Sequence, residues 1–107
     1  MARTVKIAKI KPFMKGLNLK VKVTKVLGTK EVFSRKTGSV HKVMEVLVED
    51  ETGQMNLSIW DNKITNLEEG EVYEVTNAYA SRFKGKTVIN IGKYGNIKKV
   101  DEGEKSV

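Results

Sequence analysis

Among its 107 residues the chain has no cysteine, one proline, one histidine and one tryptophan. Without cysteine there is no disulfide, no thiolate zinc site and no cysteine nucleophile, a composition that fits a reducing compartment. The single histidine, His41, has no nucleophile beside it to activate and reads as a solvated strand residue, so no enzyme activity is expected. The three acids Glu49, Asp50 and Glu51 read as a solvated turn, so neither a metal nor a cofactor is expected. No apolar run approaches membrane-spanning length, and the segment MARTVKIAKIKPF alternates lysine with small apolar residues where a secretion signal needs a continuous apolar stretch. The expectation is a soluble, cytoplasmic protein with no membrane partner. Repeats, linkers and low-complexity tracts are also missing. With 39% hydrophobic residues the chain is expected to bury one modest core and to form one domain over 1–107, with 1–14 as an extended N-terminal segment around Pro12 and 101–107 as a polar tail.

What the chain does have is charge, +7 net and unevenly spread. From Arg3 to Lys30 every charged residue is basic, whereas from Glu45 to Glu74 only Lys63 interrupts the acids. Such asymmetry points to one positive face, which would steer a polyanion, and one negative face. A lysine-rich surface that is merely solvated is the plainer alternative.

Period-two patterning runs almost throughout, which is the signature of strands with one buried face. Leu17, Leu19, Val21 and Val23 alternate with polar residues in a first strand that continues past Val26, with Gly28 marking a bulge. Ser34–Ser39 is a turn, and Val40–Glu49 is the second strand. Asp50–Gly53 is a tight turn, in which the carboxylate accepts from amides two residues on and the glycine supplies a positive φ. In the third strand Met55, Leu57 and Ile59 take the core side, which leaves Asn56, Ser58 and Trp60 on the opposite face. Asp61–Leu67 reads as one or two helical turns, with Asp61 as N-cap and Ile64 and Leu67 plugging the barrel end. Strands four (Val72–Ala80) and five (Lys86–Ile91) follow, then a turn at Lys93–Asn96 and a brief pairing segment at Ile97–Val100.

The hairpin between strands four and five, NAYASRFKGK, sets Tyr79 and Phe83 among Arg82, Lys84 and Lys86. A phenylalanine at a wet hairpin tip gains nothing from the hydrophobic effect until something covers it. Rings beside cations suit flat bases joined by phosphates, so a nucleic acid strand is the expected cover. Five strands with a short helix between the third and fourth follow the order of an all-β, five-stranded Greek-key OB-fold barrel. In that fold oligonucleotides lie across strands two and three and the loops after strands one and four. Here those loops carry Arg35 and Lys36, and Arg82, Lys84 and Lys86.

From about Ile7 to Lys99 the chain resembles the single-OB-fold single-stranded DNA-binding proteins of archaea. Their eukaryotic relatives sit in the sensor-of-single-stranded-DNA complex, and the branch is akin to replication protein A. The matching stretches are Lys11, Pro12 and Met14 with Leu17 and Asn18, then DETG at Asp50–Gly53, LSIWD at Leu57–Asp61, and the basic aromatic hairpin. The resemblance implies that Trp60, Tyr79 and Phe83 stack on bases. It also implies single-strand binding with little sequence preference in replication, repair and recombination, at the nucleoid, with replication and repair proteins as possible partners. Where some relatives place a further stacking tyrosine this chain has Asn90, which offers a hydrogen bond and no platform.

Other readings of these residues stay open. Trp60 either lines that face or caps the barrel, while Tyr73 and Phe33 read as core or loop packing. Phe13 is ambiguous in the same way. An RNA-binding OB domain would use the same aromatics, and in a protein-interaction module the hairpin rings would dock a partner.

Overall fold

The structure is a computed structural model that describes residues 4–100, so the 101–107 tail lies outside the described residues. Strand β1, Leu17–Ser34, is long because it serves two sheets' worth of partners. Its apolar residues Leu17, Leu19, Val21 and Val23 are buried, as the alternation requires. The first part pairs antiparallel with β4, Val72–Phe83, and the second with β2, Ser39–Asp50; Lys22 sits opposite both Val72 and Glu49. Two register shifts against β2, at Val23/Lys25 and Val26/Gly28, each insert an extra residue on β1 and bend it. Gly28 sits in this second bulge at φ +126, a conformation that side chains resist.

From β2 the chain turns back into β3, Gly53–Trp60, with pairing from Asp50↔Gly53 to Val43↔Trp60. β3 lies parallel to β5, Lys86–Ile91, which pairs with β4, and β4 returns to β1. The ring β1-β2-β3-β5-β4-β1 is therefore closed, the expected OB-fold barrel, and closure removes the exposed edges that invite aggregation. β6, Asn96–Lys99, adds to β4 at Tyr73–Thr76, where the sequence points to a brief pairing. Before β1, a single 3-10 turn at Ile7–Lys9 puts Ile7 and Ile10 into the core. The Phe13 N–H then donates to the Ala80 carbonyl (2.9 Å) and the Ala80 N–H to the Met14 carbonyl (2.8 Å), extending the pairing along β4. Val46, Val48, Leu57, Ile59, Val75, Ile89 and Ile91 fill the barrel. Burial of each contributes roughly 1.5–3 kcal/mol.

Several expectations need correction. The short helix between the third and fourth strands is present only as a single 3-10 turn at Asp61–Lys63, it does not extend to Leu67, and Asp61 is its first residue and not a capping side chain. Isoleucine, threonine and two asparagines give this stretch poor helix propensity, and the Asp61 carboxylate is engaged elsewhere. Ile64 and Leu67 nevertheless pack against the core. Gly53 does not supply a positive φ. The turn is held by Asp50, whose Oδ1 accepts from the Thr52 N–H (2.7 Å) and hydroxyl (2.5 Å), while Gly53 opens β3 opposite Asp50. Phe33 packs on nothing comparable to a core; it is 63% exposed and faces Val40, itself 58% exposed, on the β1–β2 arm. Tyr73 is buried as expected, and its hydroxyl accepts from the Glu68 N–H (2.9 Å).

Charge is also redistributed. Because β1 pairs with both β2 and β4, the basic first third meets the acidic middle instead of opposing it. Lys20 faces Glu74 and Lys22 faces Glu49 across strands, and salt bridges join Lys6 to Glu51 (2.6 Å) and Lys30 to Glu45 (3.2 Å). Along these strand pairs the two signs are therefore interleaved. Two hairpin tips carry groups of cations: Arg35 and Lys36 after β1, and Arg82, Lys84 and Lys86 around the β4–β5 turn. None of these makes a salt bridge among the described residues.

Candidate nucleic-acid interface

Strand alternation that buries Leu57 and Ile59 turns Asn56, Ser58 and Trp60 outward. Beside them lie Ser81 from β4 and Val88 and Asn90 from β5, and the β1–β2 arm contributes Lys30, Val32, Val43 and Glu45. Together these residues line one groove across the outer face of the barrel. Arg82, Phe83 and Lys84 complete its far wall.

Trp60, half-buried, ends β3 in this groove rather than inside the barrel. Its indole Nε1–H donates to Asn90 Oδ1 (3.1 Å), and Asn90 Nδ2 donates to the Ser81 hydroxyl (2.8 Å). Asn90 is only 5% exposed. Its amide is therefore occupied by protein partners at both ends, and it acts here as a bracket that sets the tryptophan ring.

Phe83 stands at the end of β4, 56% exposed, with the Lys84 ammonium 5.3 Å from its ring centroid. The hairpin is closed by Lys84 and Gly85, both at positive φ (+50 and +79), the two-residue geometry whose twist matches antiparallel strands. Tyr79 is 41% exposed, and burial of the rest of its ring pushes its phenol above the ordinary 10.0, so it stays neutral. Its edge packs on Gly92, where an added Cβ would lie 3.3 Å from Tyr79 Cε1.

The groove continues between Trp60 and Tyr79 through a depression also lined by His41, Asp61 and Lys93. Asp61, at φ +50, accepts from the Lys42 N–H (3.0 Å) and lies 2.9 Å from His41 Nδ1. The Lys42 amide first, then His41, hold the Asp61 carboxyl below its ordinary 3.8. His41 is thus a fixed part of the groove rim and not simply solvated.

The structure brings together Trp60, Phe83, Arg82, Lys84 and Asn90 in one groove and Tyr79 in its continuation. Arg35 and Lys36 stand apart at the arm tip, and Lys86 lies over the flank with Leu47 and Gln54. Lys30 and Lys93 were not singled out as site residues by the sequence, and His41 reads there as a solvated strand residue. Tyr94 was not singled out either, although KYGN repeats the ring-beside-lysine pattern of RFKGK. No group of acids and histidines among the described residues is arranged to hold a metal ion, and none of the described helices is long and apolar enough to cross a membrane.

Comparison with known proteins agrees with this geometry. Residues 10–99 match the family model described as single-stranded DNA binding protein Ssb-like, OB fold. The single-stranded DNA binding protein Ssb of Saccharolobus solfataricus is 29% identical over 97 residues, which is 91% of this chain and 64% of that protein's length. Among solved structures, the OB domain of Ta0387 from Thermoplasma acidophilum is 23% identical with a TM-score of 0.77, covering 92% of this chain and 87% of its own. The second OB-fold domain of replication protein A from Methanococcus maripaludis is 24% identical, also with a TM-score of 0.77, covering 98% and 99%. Since the family match runs from the N-terminal segment to β6, the chain belongs to the Ssb-like family of OB-fold single-stranded DNA-binding proteins.

Proposed function

We propose that this chain binds single-stranded DNA along the groove, stacking bases on Trp60, Tyr79 and Phe83 and neutralising phosphates with Arg82, Lys84 and Lys86, and with Arg35 and Lys36 on the arm. One observation carries the reading: three rings line one continuous surface, Phe83 and Tyr79 exposed and Trp60 half-buried, beside Arg82 and Lys84, which make no salt bridge among the described residues. Every base has a π-face, so such rings accept successive bases with little sequence preference, and duplex hides those faces. Asn90 serves by orienting Trp60 and not by reading a base. The role that fits this chemistry is protection of exposed strands during replication, repair and recombination, at the nucleoid in the cytoplasm, alongside replication and repair proteins.

Competition separates this from its rivals. A labelled thymine oligomer bound to the protein should be displaced by unlabelled single strands of mixed sequence, while a duplex of matched length displaces it at least tenfold less well. Equal displacement by duplex contradicts the reading, and stronger displacement by a matched RNA strand reassigns the groove to RNA.

A further inference from the structure

Beyond Tyr79 the groove opens into a second cleft, lined by Lys15, Gly16, Asn77, Lys93 and Tyr94. It shares Tyr79, Gly92 and Lys93 with the depression that holds Trp60, so the two adjoin at the Tyr79 ring. Tyr94 is 78% exposed, and the Lys93 ammonium lies 5.7 Å from its ring centroid. At the opposite end of the groove Phe83 and Lys84 make the same pairing.

Tyr94 is open because its loop is held that way. The Asn77 Nδ2 donates to the Tyr94 carbonyl (3.1 Å), from a residue at φ +51, and the Gly95 N–H donates to the Gly92 carbonyl (3.1 Å). Gly95 approaches β4 so closely that a Cβ there would meet the Asn77 carbonyl oxygen and Ile91 Cγ2 at 3.1 Å. A ring on a backbone fixed this tightly can stack without the loop first having to be ordered. Lys15 and Lys93 are exposed beside it, and neither makes a salt bridge among the described residues.

We propose that Tyr94, with Lys93 and Lys15, forms a further nucleotide subsite that takes an unpaired base and its phosphate next along from the base on Tyr79. The bound strand then runs past Phe83, Trp60, Tyr79 and Tyr94 in that spatial order. This rests on the reading of the groove as a single-strand site and lengthens the stretch of strand it covers. Its chemistry is that of the other subsites: a ring buried by a base, and an ammonium against a phosphate.

The test is a ladder of thymine oligomers from about 3 to about 12 nucleotides, spanning the site sizes of single OB folds. Each competes against one labelled long oligomer, with wild type, Tyr94→Ala, Tyr94→Phe and Trp60→Ala. Tyr94→Ala should match wild type on the shortest oligomers and bind the longer ones more weakly, by about fivefold to about 150-fold, the worth of one stacked base. Its affinity should stop rising at a shorter length than that of wild type, and Tyr94→Phe should restore the wild-type profile. Trp60→Ala should weaken every length. If Tyr94→Ala tracks wild type at all lengths while Trp60→Ala is weakened, the subsite is refuted and the groove stands. If wild type binds no oligomer, the groove reading fails and the subsite with it.

Discussion

Asn90 sits beneath Trp60 with its carbonyl oxygen on the indole N–H and its amide nitrogen on the Ser81 hydroxyl. A buried amide with both ends bonded is a rigid support, and removing it leaves the indole N–H without its acceptor and the Ser81 hydroxyl without its donor, a cost of about 1–3 kcal/mol where water cannot replace it. Asn90→Leu should lower thermal stability modestly and weaken binding of a thymine oligomer several-fold, because the ring loses its bracket and not because a base contact is lost. Anisotropy titration checks this, and affinity equal to wild type contradicts it. That Asn90 would be no stacking platform was legible from its chemistry. Its service to Trp60 was not, since the two are 30 positions apart and meet only through the parallel β3–β5 pairing. Trp60 itself was legible, because strand period placed it opposite Leu57 and Ile59. Tyr94 was hidden for the opposite reason: a turn residue has no period, and its exposure depends on how Gly92 and Gly95 pack against β4.

At the scale of elements, the β4–β5 hairpin carries most of the cationic and aromatic side chains of the site, and its geometry hangs on two residues. Gly85 has open space around it, so a substitution there meets only its backbone requirement, φ +79. Gly85→Val should cost about 1–2 kcal/mol from the left-handed conformation alone. It should also weaken single-strand binding by disturbing Phe83 and Lys84, and denaturant melts alongside binding titrations would separate the two effects. A variant with unchanged stability would contradict the turn assignment. Strand order was readable because each strand keeps its alternation. The helical turn after β3 was read too long because Asp61 resembles an N-cap in sequence, whereas its carboxylate in fact ties β2 through Lys42 and His41.

Across the whole molecule, closure depends on ties between distant segments, and Asp50 makes one of them. Its carboxylate accepts from the Ile7 N–H (2.9 Å) as well as from Thr52, fastening the N-terminal segment to the β2–β3 turn. Burial pushes the Asp50 carboxyl up, but the Thr52 hydroxyl, the Ile7 and Thr52 amides and nearby Lys6 together hold it below its ordinary 3.8. Its folded value being depressed, its contribution is present above pH 3.8 and is lost as pH falls through that folded value. Asp50→Asn should therefore be less stable than wild type near neutrality, by about 1–3 kcal/mol, and the gap should narrow at the acid end of a pH series of denaturant melts. A gap independent of pH would contradict the sign. Charge was the property least legible in sequence, since strand pairing brings the basic and acidic stretches together, as in Lys30 with Glu45, while the cations of the hairpin tips make no salt bridge among the described residues. Those tips and the rings between them make the central claim testable through the lone tryptophan, Trp60. Its fluorescence should be quenched saturably by an unstructured thymine oligomer, less so as salt rises, with a slope near 0.7 per phosphate contacted, and hardly at all by a matched duplex. An emission that the oligomer leaves unchanged, or that duplex quenches equally, would contradict a single strand stacked in this groove.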